Sequence, residues 1–273
     1  MNSARMAVRR RHDQHRRTLL GALAAAGLLG CDTGRAGPVT IPLGVFPGPG
    51  AQALAEATAA GDVSRVQTLA PQTQGGVNVS GSNGETPLLI AVLRTDRSMV
   101  TALLNMGADP SGRPDQAPLA VAVRAKDPWF AEILLRAGAD PNGRIDGRPA
   151  VWQAAVAERL DMIDRLAAAG ADLDSPDGTG DAASIAAVKA DLFAVALHLL
   201  ERGSSPSVAN RKGQTLGFWV EQSNIRPDSA TGAAGQALVA RLSAAGAWPP
   251  LDPPTVRALQ AAGRWPPASS SQP

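Results

Sequence analysis

One self-similarity constrains this chain more than any other feature. Phe130 to Asp146 reads FAEILLRAGADPNGRID, and Met99 to Asp115, thirty-one residues earlier, reads MVTALLNMGADPSGRPD. A third copy, MIDRLAAAGADLDSPD, turns on Gly170. Gly107, Gly138, Gly170 and Gly203 are spaced by 31, 32 and 33 residues. Each copy is an apolar helix, a glycine stop and a polar extended segment. A unit this short cannot bury its apolar stripe alone, so neighbours must stack. The pattern therefore predicts a repeat architecture with a core shared between units.

Composition agrees with close helix packing. Aromatic residues make up only 3% of the 273 residues, and tyrosine is absent. Alanine, leucine and glycine fill the contacts instead. The overall charge of +2 is misleading, because residues 1–31 carry six arginines and one acid, Asp13. The remainder has 26 − 6 = 20 basic and 24 − 1 = 23 acidic residues, a net of −3. Such a body argues against a nucleic-acid partner.

The leader accounts for the excess arginine. Arg5, Arg9, Arg10, Arg11, Arg16 and Arg17 precede the apolar run TLLGALAAAGLLG, Thr18 to Gly30. At 1.5 Å per residue that run reaches roughly 20 Å, short of the ~30 Å hydrocarbon core. Residues 1–30 thus read as a secretory signal rather than a spanning helix. Leu28-Leu29-Gly30-Cys31 resembles the lipobox of bacterial lipoproteins, and Cys31 is the only cysteine. The resemblance implies cleavage before Cys31, lipidation of its sulfur and acylation of the new amino group, giving a membrane anchor. Arg16-Arg17 ahead of Leu19-Leu20 also resembles a twin-arginine export signal. Asp32 resembles an inner-membrane retention signal. Residues 31–50 are rich in Gly and Pro and read as a tether, although the apolar IPLGVF piece offers a second reading, a cap on the first repeat.

From Ala51 the helices begin. Thr86-Pro87-Leu88-Leu89-Ile90-Ala91 resembles the opening of an ankyrin repeat, T-P-L-H-x-A, and Ala117-Pro118-Leu119-Ala120-Val121-Ala122 repeats it. Weaker openings follow at Gly147-Arg148-Pro149-Ala150-Val151, at Asp181 to Ala186, and at Gly213-Gln214-Thr215-Leu216. The resemblance implies an all-α ankyrin-repeat solenoid of about six helix–turn–helix units with short finger loops. Its stack spans 51–250, with 251–273 as a C-terminal cap and disordered tail. The family's usual histidine aligns with Leu89, Ala120, Val151 and Ser184, so the ties it provides between turns are expected to give way to a looser or more apolar seam. Residues 223–235, SNIRPDSATGAAG, read as an exposed inserted loop.

Catalytic chemistry finds little footing. Cleavage of the leader would leave His198 as the single histidine, inside the helical run LFAVALHLLERG and away from any sharp serine turn. No local set of nitrogen and sulfur ligands suits zinc. Asp172, Asp174 and Asp177 lack calcium-loop spacing and its bidentate glutamate, and read as finger residues. There is no phosphate-binding glycine loop, so no metal and no cofactor is expected. The expectation is a non-catalytic, monomeric scaffold with a protein partner. Alignment with the repeat pattern puts Arg94, Arg124, Trp152, Lys189 and Trp219 near the concave face, and Arg113 and Arg144 at fingers. Arg and Trp are enriched in interface hot spots. General associations of bacterial ankyrin proteins add finer roles: immunity protein against a secreted toxin, helper of a periplasmic stress enzyme, or organiser of the envelope.

Overall fold

The computed structural model describes residues 45–223 and 230–266. The leader, Cys31, Asp32 and most of the tether lie outside the described residues, as do 224–229 and the end of the tail. Within the described chain two compact units separate. One holds 45–153 with 168–171, and the other holds 154–167 with 172–266. The fold is all-α, with one two-residue ribbon.

In the N-terminal unit, helices α1 (Gly48–Ala60) and α2 (Val63–Leu69) form the first pair. The second pair is α3 (Pro87–Leu93) with α4 (Arg97–Asn105), and the third is α5 (Pro118–Ala122) with α6 (Trp129–Arg136). First helices pack on first helices, α1 on α3 and α3 on α5, while each also packs on its own second helix. The local causes are those the repeat implied. Thr86 caps α3 by accepting from the Leu89 N–H at 3.3 Å, and Pro87 occupies the first turn, where its missing N–H costs nothing. Asp62 and Asp96 cap the second helices α2 and α4 at 2.9 and 3.0 Å. At Gly138 φ is +90°, and a Cβ there would meet nothing within 4 Å. Glycine is therefore set at that helix end by backbone conformation, not by space.

The chain then forms β1 (Arg144–Ile145) and β2 (Arg148–Pro149), paired antiparallel, and enters α7 (Ala150–Val156). The C-terminal unit contains α8 (Leu160–Ala168), then the pairs α9 (Ala183–Lys189) with α10 (Phe193–Glu201) and α11 (Leu216–Gln222) with α12 (Ala230–Ala244). Here α9 packs on α10 and α11, and α12 packs on α10 and α11. A last helix, α13 (Pro253–Ala261), is capped by Asp252, which accepts from the Thr255 N–H at 3.0 Å. It rests on the preceding finger: Arg257 donates to the Lys212 carbonyl at 3.1 Å, and Gln260 to that of Asn210 at 3.4 Å.

Three expectations shift. The segment 223–235 is not wholly loop, because α12 starts at Ala230. Gly232, Gly235, Leu238 and Leu242 are buried along one face of that helix. Small residues let α12 approach α10 closely, which a reading of glycine as a breaker misses. The missing-histidine alignment also moves by one residue in two units. Pro149 belongs to β2 rather than to the first helical turn, so α7 begins at Ala150 and the third helical residue is Trp152, not Val151. Ala182 is the N-cap of α9, which places Ile185, not Ser184, at that position. Thirdly, the helical part begins before Ala51. Pro47 is the N-cap of α1, and Phe46 is 2% exposed. The Val45 carbonyl accepts from Ser82 N–H at 3.0 Å. Phe46 thus takes the packed alternative left open for the IPLGVF piece, whereas Val45 is held there by its backbone alone and keeps its side chain 76% exposed.

The seam between turns is apolar where histidine would stand. Leu89, Ala120, Trp152 and Ile185 are all at most 4% exposed. Polar ties sit on the fingers instead. Asn78 donates to the Gly107 carbonyl and accepts from Asp109 N–H. Ser111 accepts from Asp140 N–H, and Asp115 from Gly147 N–H. In the C-terminal unit Asp174 accepts from Ser204 and Ser205, and Asp181 from Asn210.

Candidate protein-docking surface

The seven side chains expected to face a partner separate into two kinds. Arg113, Arg144 and Lys189 make bonds inside their own unit. Arg113 donates to the Asn78 carbonyl at 3.1 Å. Arg144 donates across its own hairpin to the Gly147 carbonyl at 3.2 Å. Lys189 is largely buried, its side chain 13% exposed, ion-paired with Asp181 and 4.2 Å above the ring of Trp219. Trp219 in turn meets Phe218 edge-on, ring centres 5.5 Å apart. Asp181, Lys189, Asn210 and Trp219 therefore form an internal polar cluster, with opposite charges matched as a buried pair requires.

Arg94 and Arg124 differ. Each follows the C-terminal end of a first helix, α3 and α5, and each is half-buried. Neither guanidinium has a hydrogen bond or ion pair among the described residues, and Arg94 Nε is buried without an acceptor. Burial lowers the pKa of Arg124, and the nearby guanidinium of Arg148 lowers it further. The group stays charged at neutral pH, since the starting value is so high. Arg148 was absent from the expected set. It lies in β2, half-buried, with its guanidinium carbon 4.8 Å from the centre of the Trp152 ring. Trp152 itself is 4% exposed, and its indole N–H has no acceptor among the described residues. So Trp152 supplies a platform rather than a contact tip. The sequence signal for Arg148 was its place between a finger glycine and the Pro that opens the next unit. It was hidden because its partner ring lies four residues on, across a strand-to-helix junction.

His198 has the structural role its helix suggested. Its Nε2 lies 2.6 Å from Asp164 Oδ1, and Arg202 reaches the same oxygen at 2.5 Å. These bonds hold the pKa of Asp164 below the ordinary carboxylate value, with the Arg202 bond the larger cause. No group of three or more His, Cys, Asp or Glu suited to a metal occurs among the described residues. No helix among them is long and apolar enough to cross a membrane.

Comparison with known proteins places this architecture. The family profile of ankyrin repeats matches residues 54–145, in three copies. These are ankyrin repeats. The structure is similar to the ankyrin repeat domain of Bcl-3, a member of the IkappaB protein family. The two share 26% identity over 70% of this chain and 85% of that one, at a TM-score of 0.55. No curated protein matches. Ankyrin repeats imply a protein–protein interaction module, and ankyrin domains are typically non-catalytic. The helix pairs within the two units, α1–α2, α3–α4, α5–α6, α9–α10 and α11–α12, agree with the expected fold class.

Proposed function

We propose that this chain is a non-catalytic scaffold that docks a protein partner, exported and held by a lipid on Cys31 at the periplasmic face of a bacterial membrane. The docking part of this reading is supported by one observation above the rest. The ankyrin repeats of the N-terminal unit carry Arg94, Arg124 and Arg148 partly buried and without carboxylate partners among the described residues, whereas Lys189 of the C-terminal unit is matched internally by Asp181. Unmatched, partly desolvated arginine beside tryptophan is the composition of an interface hot spot. The anchoring part is supported by Leu28-Leu29-Gly30-Cys31 and by the basic leader ahead of it. Tethering would raise the local concentration of the scaffold relative to membrane-bound partners.

The finer role we favour is immunity against a secreted toxin, because neutralisation needs only a rigid docking face at the envelope. Affinity capture on the mature chain, followed by calorimetry with the purified captured protein, tests the docking. Saturable one-to-one binding that weakens at least tenfold in Trp152→Ala or Arg124→Ala is expected. Binding indifferent to both substitutions sinks this surface, and absence of any saturable binding sinks the scaffold. Deleting the gene should sensitise cells to the captured protein, and unchanged sensitivity removes the immunity role while leaving docking intact.

A further inference from the structure

The N-terminal unit contains more positive charge in one place than it neutralises. Arg148 sits with its guanidinium carbon 4.8 Å from the centre of the Trp152 ring, and it lies near enough to Arg124 to add to the lowering that burial imposes on that guanidinium; both are half-buried, and neither has an anionic partner among the described residues. A folded protein gains nothing from that arrangement in isolation. Elsewhere in the same unit an arginine over a tryptophan is matched: Arg97, 5.1 Å from the Trp129 ring, also binds Asp127 at 2.6 Å. The Arg148–Trp152 pair has the same aromatic platform and lacks a carboxylate among the described residues. A ring beneath a guanidinium fixes its plane and leaves its edge donors pointing outward, which preorganises it for bidentate acceptance of a planar anion.

We propose that Arg124 and Arg148, the latter seated on Trp152, form a receptor for one carboxylate, supplied by an Asp or Glu side chain of the protein partner. This deepens the docking reading and rests on it. The missing group is a carboxylate because that is what completes the equivalent Arg97–Trp129 arrangement. A phosphate-bearing polymer is disfavoured, since the chain beyond residue 31 has a net charge of −3, the 20 basic and 23 acidic residues counted above. A single acidic side chain inserted into a partly desolvated pair of arginines has no such long-range penalty, and it relieves their mutual repulsion.

The test uses the full mature chain, labelled with nitrogen-15, and follows the indole N–H resonance of Trp152, assigned with Trp152→Phe. The probe is acetyl-glutamate amide, with acetyl-glutamine amide and inorganic phosphate as the other arms. The acidic probe should shift the resonance saturably and its glutamine counterpart should not. Arg124→Met and Arg148→Met should each weaken the acidic probe roughly tenfold, the loss of one charge-assisted contact. Arg148→Lys should weaken it too, because an ammonium cannot offer the fork. Without probe, Arg124→Met should melt no lower than the parent, since a cation repelled by its neighbour is removed. No saturable shift, or equal affinity in the Met variants, overturns the receptor. A marked fall in melting temperature for Arg124→Met assigns the arginines to structure and overturns it as well. Saturable binding of phosphate alone overturns the carboxylate assignment. A chain that keeps its captured partner but ignores the probe loses the receptor only; one that binds the probe but no protein loses the docking reading only.

Discussion

At the scale of single residues, the outcome turns on which polar groups find partners. Asp174 shows this for an acid. Its Oδ1 accepts from the Ser204 hydroxyl at 2.6 Å and its Oδ2 from the Ser205 N–H at 2.9 Å. Burial nevertheless raises its pKa above the ordinary carboxylate value, against the effect of those bonds. A raised acid pKa means the folded state holds the proton more tightly than the unfolded one. The resulting contribution to stability is fully present below the unfolded pKa and is lost as pH rises through the folded one. Asp174→Asn should therefore flatten the fall in melting temperature across the mildly acidic range just above the usual carboxylate value. It keeps an acceptor for Ser204, which is 3% exposed. Asp174→Ala leaves that hydroxyl and the Ser205 N–H without a partner and should cost about 1–3 kcal/mol. Thermal melts over a pH series check both, and an Asn variant with the parent's slope would show that burial of the charge is unimportant. The same residue marks a limit of legibility. Asp174 and Asp177 look alike in the sequence, yet Asp174 reaches the next finger at Ser204 and Ser205, whereas Asp177 accepts within its own turn from Thr179 and Asp181 N–H.

At the scale of elements, the helix ends were legible and the register of two helices was not. Capping Thr, Asp and Pro act over three or four residues, so α3 and α5 begin where their sequence says. For α7 and α9 the first turn depended on what the preceding finger did. Pro149 was taken into β2 and Asp181 into a pair with Lys189, each decided by residues outside the local window. The helix α12 was obscured for a related reason: glycine lowers helix propensity, but close packing on α10 repays it. The tail is a clearer case. Ala244 to Pro250 and Ala261 to Pro267 echo each other in sequence, and Gly246 and Gly263 adopt matching φ values of +68° and +65°. Between them α13 docks where Gly213 leaves room. A Cβ on Gly213 would stand 2.3 Å from the Pro253 carbonyl oxygen, at a φ of +73°. Gly213→Ala should thus release α13, with amides 255–261 exchanging faster while those of α9 and α10 stay protected. The left-handed backbone alone costs about 1–2 kcal/mol for a residue with a side chain. Unchanged exchange over 255–261 would show that α13 is held by other contacts.

At the scale of the molecule, attachment and recognition are separable. Cys31→Ser should move the protein from the membrane fraction to the soluble one while leaving the melting temperature of the repeats unchanged. Membrane retention of the Ser variant would remove the lipid anchor from the proposal. The sequence by itself determined the repeat class, the helix stops and the fingers, because these arise from short-range rules repeated at a fixed period. Only the tertiary structure decided which cations are matched. Lys189 and Arg124 occupy the same place, the seventh residue from the starts of α9 and α5, and read alike. Lys189 meets Asp181, eight residues back and brought beside it by the fold, whereas the charge nearest to influence Arg124 is another cation, Arg148. Charge pairing is set by distance in space, and a repeat's sequence fixes backbone geometry long before it fixes which side chains a neighbouring turn will bring within reach.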